Sequence, residues 1–100
     1  MTMQNESSHA LFEVETATSL AVADEVRACL ATEGAHAALV RLGEVTDDNL
    51  LSLTQSQRLL DLIAGGYRLE SLAREFKAEW WQRDGWSGVL KRFGQKHLAE

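Results

Sequence analysis

Proline is absent from this 100-residue chain, and cysteine occurs once, at Cys29. Proline removes a backbone donor and breaks helix interiors, so its absence leaves long helices unobstructed. A single cysteine excludes an internal disulfide and a cysteine-based zinc cluster, and it suits a reducing compartment. Cys29 itself reads as a small buried apolar residue. The chain also lacks an apolar run of membrane-spanning length and a basic start ahead of an apolar stretch. Neither a membrane span nor a secretion signal is expected, and the default location is the cytoplasm.

Catalytic signatures are missing as well. His9, His36 and His97 are far apart and show none of the i,i+4 ligand spacing of helical zinc sites. Gly65-Gly66 lacks the following Lys-Ser/Thr of a phosphate loop. No serine sits in a nucleophile elbow, and Glu13 and Glu15 are paired carboxylates only in sequence. The expectation is a non-enzymatic protein with no catalytic residue, no metal and no cofactor.

What is present fits one folded unit. The hydrophobic fraction of 45% and charged fraction of 25% are ordinary for a single globular domain spanning 1–100. Residues 1–9 are polar and read as a flexible terminus. No repeat, low-complexity tract or interdomain linker interrupts the rest. Charge, however, is unevenly divided. Residues 1–50 hold nine acids against Arg27 and Arg41, whereas residues 51–100 hold eight bases against six acids. That division gives the molecule two electrostatic faces.

Periodicity predicts a mainly α bundle of about five helices. Residues 10–16 (ALFEVET) alternate weakly and fit either a short strand or the first turns of a helix. From Ser19, a candidate cap, Leu20, Ala23, Val26 and Leu30 follow helical spacing up to Gly34. Residues 35–42 fit a helix, favoured here, or a short strand, with Gly43 as the stop. Thr46-Asp47-Asp48-Asn49 reads as a helix start for the leucine-rich segment that ends at Gly65-Gly66. Leu69, Leu72, Ala73, Phe76 and Trp80 form a further face, Asp84-Gly85 a turn, and Trp86, Val89, Leu90 and Phe93 the last face before Gly94. The predicted core comprises Leu20, Val26, Leu30, Leu39, Leu53, Leu60, Ile63, Leu72, Phe76 and Trp80.

Trp80, Trp81 and Trp86 fall within seven residues. Consecutive helical positions point about 100° apart, so Trp80 and Trp81 cannot share one core stripe. If Trp80 joins Phe76, then Trp81, beside Arg83, is placed for partner contact, because Trp and Arg dominate interface energetics. The alternative is a wide aromatic core.

The line LTQSQRLLDLIAGGYRLESLAREF, with Val89 to Gly94 beyond it, resembles the helix-turn-helix of LuxR-type regulators over residues 53–94. That resemblance implies a DNA-binding transcriptional regulator using Lys77, Gln82, Arg83, Lys91 and Arg92. The segment where base reading would reside carries Glu79, Asp84 and two tryptophans instead of a polar recognition helix. In overall character the chain is also similar to small phage-encoded inhibitors of type I CRISPR surveillance complexes. This likeness implies an inhibitor, in the cytoplasm of a bacterial host, that sits on Cas subunits and blocks recognition of target DNA. Carboxylates can replace phosphates opposite a Lys/Arg-lined channel. The residues nominated for partner binding are Glu13, Glu15, Asp24, Glu25, Asp47, Asp48, Trp81 and Arg83. The expected partner is a protein complex that handles nucleic acid; direct DNA contact, a membrane and a small molecule are not expected.

Overall fold

A computed structural model describes residues 16–75 and 78–98, with side chains from residue 84 onward in the second stretch. Among them are five helices and no strand: α1 (Ala17–Glu33), α2 (Ala35–Asp47), α3 (Leu53–Ile63), α4 (Leu69–Glu75) and α5 (Ala78–His97). The helical alternative for 35–42 is therefore the one that forms. Residues 10–15, where strand and helix were both open, lie outside the described residues, as do residues 1–9.

Two helix starts share one device. Thr16 caps α1: its hydroxyl accepts from the Ser19 amide at 3.0 Å, and the Ser19 hydroxyl accepts from the Thr16 amide at 2.9 Å. Ser19 is thus the third helical residue of a capping box and not the cap, a shift of three positions from expectation. Ser52 and Gln55 repeat the arrangement at α3, with bonds of 3.1 and 2.9 Å. The Gln55 amide then donates to Ser19 Oγ at 3.1 Å, tying the two N-termini together.

Gly34, at φ 97°, closes α1 and opens α2 in one residue. The anticipated stop at Gly43 does not occur. Helix α2 continues through it because Gly43 lies against α5, where a Cβ would meet Ser87 Cα at 2.4 Å. Absence of a side chain serves close approach at this position and no turn at all. Helix α2 ends only at Asp47, with Asp48 as its cap and Asn49 turned to φ 60°. Thr46-Asp47-Asp48-Asn49 consequently finishes one helix, whereas Ser52 begins the next. Thr46 is buried: its hydroxyl bonds to Leu42 O and meets Ser56 Oγ, each at 2.7 Å. Gly94 likewise lies within α5, pressed against His36 and Leu39.

Val26, Leu39, Leu42, Val45, Leu60, Val89, Leu90 and Phe93 are fully buried, and Leu59 and Leu72 nearly so. Each such aliphatic or aromatic side chain contributes roughly 1.5–3 kcal/mol on leaving water. Of the predicted core, Val26, Leu39, Leu60 and Leu72 are inside, Ile63 packs partly buried against it, and Leu30 is half-buried. Leu20 and Leu53 are not core; they are 47% and 59% exposed. Helical phase explains both. Ser19 turns inward to reach Gln55, which rotates Leu20 about 100° away, and Gln55 inward places Leu53 about 200° round α3. Phe76 and Trp80 lie outside the described side chains.

Helix α4 is held from two sides. The Gln57 side chain donates to Tyr67 O at 2.9 Å and accepts from the Leu69 amide at 2.8 Å. At the other end, Glu75 Oε2 receives Lys96 Nζ at 2.6 Å and faces His97 Nε2 at 3.4 Å. The Lys96 hydrogen bond holds the Glu75 carboxyl below its ordinary range. Its stabilisation is therefore present above the unfolded carboxylate pKa and lost as pH falls through the lower folded value. Tyr67 meets Phe93 edge-on at 4.7 Å beside this cluster.

Candidate binding surface

The described part of the acidic half forms α1 and α2, and the carboxylates there divide into three uses. Asp24 and Arg27, one turn apart on α1, pair at 2.7 Å in the open. Both Glu25 carboxylate oxygens accept from Arg41 Nη2, at 2.9 and 3.0 Å, while Glu44 accepts from Nη1 at 3.1 Å. Arg41 thereby straps α2 to α1, and the hydrogen bond it donates to Glu25 raises its pKa above the ordinary value. A shallow groove between these helices has Ala28, Cys29, Ala37 and Val40 as its floor, with Glu25, Glu33, Glu44 and Arg41 along it. Burial, then the charge of Glu33, pushes the Cys29 thiol up. It is a half-buried floor residue kept as the neutral thiol.

Asp47 is spent differently. Its two carboxylate oxygens accept from the Trp86 and Ser87 amides at 2.8 and 3.0 Å, so it serves as a cap, supplied by α2, for the second part of α5. Asp47 is also exposed at the end of α2. Asp48 stays exposed at the end of α2. Asp24 and Glu25 stand on exposed α1 positions; Glu13 and Glu15 lie outside the described residues. Trp81 and Arg83 fall on the first part of α5, with side chains outside the description.

Glu33, Arg41 and Glu44 belong to this surface and were not nominated. The signal was available: Glu25, Cys29 and Glu33 recur at i, i+4 and i+8, which puts them on one side of α1. Arg41 and Glu44 likewise stand at i,i+3.

A second surface is more apolar. Leu53, Leu69, Ala73 and Trp86 line a groove joining α3, α4 and α5, with Arg58, Arg68 and Glu70 at its edges. Among residues suited to DNA contact, Lys91 is exposed, whereas Arg92 is engaged by Asp84 at 2.9 Å and Gly88 O at 3.2 Å. Lys77 lies outside the described residues, and the Gln82 side chain outside the described side chains. Among the described residues no group of three or more His, Cys, Asp or Glu could hold a metal ion. No helix there is long and apolar enough to cross a membrane. Comparison with family models, curated proteins and solved structures returns no match.

Proposed function

We propose that this chain is a non-enzymatic inhibitor whose α1–α2 face occupies a basic, phosphate-binding surface on a nucleic-acid-handling protein complex. Type I CRISPR surveillance complexes are the specific target of the proposal. The observation that supports it is the groove where Glu25, Glu33 and Glu44 converge with Arg41 as the one basic residue along it. Carboxylates accept the same charge-assisted bonds from Lys and Arg that phosphate oxygens do. The excess of nine acids over two arginines in residues 1–50 adds long-range attraction, which raises the rate of encounter with a basic surface.

The test uses a purified, guide-loaded type I complex and labelled duplex target in a gel shift. Stoichiometric addition of the protein should abolish target binding, and a Glu33→Lys, Glu44→Lys variant with unchanged melting should inhibit far less. Labelled duplex alone, at low salt, should remain unshifted. Sequence-selective retardation of that duplex by the protein itself would replace this reading with the helix-turn-helix regulator.

A further inference from the structure

Asp84-Gly85 is a dipeptide with chemistry of its own. Where glycine follows aspartate, no Cβ hinders the glycine amide nitrogen from reaching the carbonyl carbon of the aspartate side chain. That nitrogen can close a five-membered ring. Its bond to Asp84 Cγ forms, the bond from Cγ to the carboxyl hydroxyl breaks, and the hydroxyl leaves as water with the amide proton. Water then adds to one of the two ring carbonyls. Opening at the side-chain carbonyl restores aspartate, whereas opening at the main-chain carbonyl leaves isoaspartate, with the chain running through Cβ. Water is the sole co-reactant, and the mass is unchanged.

The fold sets this pair where α5 breaks. At Gly85 the backbone takes φ 63° and ψ −156°, a conformation essentially restricted to glycine. Asp84 and Gly85 are both half-buried, so solvent reaches them. The next two amides, of Trp86 and Ser87, donate to Asp47 on α2. Two bonds restrain Asp84 itself. Arg92 Nη1 holds its Oδ2 at 2.9 Å, and the Ser87 hydroxyl donates to its main-chain oxygen at 3.0 Å. The side chain also folds over Gly88, where an added Cβ would lie 2.1 Å from Asp84 Cβ. Ring closure needs Cγ turned onto the Gly85 nitrogen at about 3 Å, and the tie to Arg92 opposes that turn.

We propose that Asp84-Gly85 is a site of spontaneous isoaspartate formation, and that Arg92 sets its rate by restraining the Asp84 carboxylate. The product lengthens the main chain by one carbon directly ahead of the two amides that Asp47 caps. It also removes the side-chain carboxylate that meets Arg92. Isomerisation here therefore loosens the contact between α2 and α5, the close approach that Gly43 permits.

The test holds the whole chain at neutral pH for weeks and then digests it. Isoaspartate is measured by isoaspartyl methyltransferase labelling and by fragmentation of the peptide spanning 84–85. It should accumulate at residue 84 ahead of Asp24, Asp47, Asp48 and Asp61, and faster still in guanidinium chloride, where the restraint is gone. Arg92→Gln should raise the native-state rate about fivefold, the upper range for a partly exposed ion pair. Arg92→Lys should stay near the unsubstituted rate. Val26→Ala on α1 controls for general loosening of the core and should accelerate the reaction less than Arg92→Gln does. No preference for residue 84 would overturn the site. Equal rates with and without Arg92, or an equal rise in Val26→Ala, would overturn the role of Arg92.

Discussion

Helix α1 buries three of its seventeen residues, Ser19, Ala23 and Val26, whereas α2 buries six of thirteen, from Ala38 to Thr46. Both derive from the acidic half of the chain, and they meet along the Arg41 strap. The difference lies in what each can approach. Gly43 lets α2 come within backbone contact of α5, and Thr46 closes on Ser56 of α3. Helix α2 is therefore enclosed by neighbours. Helix α1 lies across it and leaves Asp24, Glu25 and Glu33 in water. Similar composition thus yields one helix that organises the fold and another that displays charge.

Two leucines probe that contrast most sharply. Leu42 on α2 is fully buried and Leu20 on α1 is 47% exposed. Leu42→Ala should cost about 2–5 kcal/mol, through lost transfer energy and the cavity left behind. Leu20→Ala should stay within about 0.5 kcal/mol, as surface changes do. Urea denaturation of the pair measures both. Equal losses would mean that α1 is as deeply built into the core as α2, and the contrast would fail.

Two glycines come next, since they are alike in sequence and opposite in role. Gly43 has an ordinary helical backbone but no room, because the nearest atoms to an added Cβ are Ser87 and Trp86 backbone. Gly43→Ala must separate α2 from α5 and should cost about 3 kcal/mol, at the upper end of overpacking penalties. Gly34 has open space around it but sits at φ 97°. Gly34→Ala should cost about 1–2 kcal/mol from backbone strain alone. Thermal melts distinguish them further: a Gly43 variant should lose cooperativity between α2 and α5, whereas the Gly34 variant should melt as one unit.

These positions also explain which parts of the fold could be read from the sequence. The number of helices, Gly34 as a boundary and Gly85 as a break were legible because those signals are local, whereas the single face drawn from Leu69 to Trp80 divides between α4 and α5. Gly43 and Gly94 misled because a glycine that stops a helix and one that admits a neighbour look identical until the neighbour is in place. Thr46-Asp47-Asp48-Asn49 misled for a related reason. Its side chains do bond, but Thr46 bonds back along α2 and across to Ser56, and Asp47 caps a helix nearly forty residues away. The true start of α3 was legible in Ser52-Leu53-Thr54-Gln55, a capping-box spacing, and Thr16 with Ser19 repeats it. For the candidate surface, the acids of α1 were evident from composition. The convergence of Glu33 and Glu44 on one groove was not, since it depends on how α2 lies against α1.

The smallest expected effect concerns the strap itself. Glu25 links α1 to α2 through Arg41, while Asp24 pairs with Arg27 inside α1. Both carboxylates are more than half exposed, so solvent screens each pair. Glu25→Gln should cost about 0.2–1 kcal/mol at low salt, and Asp24→Asn about 0.2–0.5 kcal/mol. In 1 M salt, where the screening length falls to about 3 Å, both should shrink toward zero. If α1 mainly displays charge, Glu25→Gln must weaken inhibition of target binding more than it weakens the fold. A stability loss above about 2 kcal/mol that survives high salt would instead make the Glu25–Arg41 pair part of the architecture, because a screened surface pair cannot supply so much. Glu25, and Glu44 on the same guanidinium, would then belong to the architecture, and the proposed recognition would fall to Glu33.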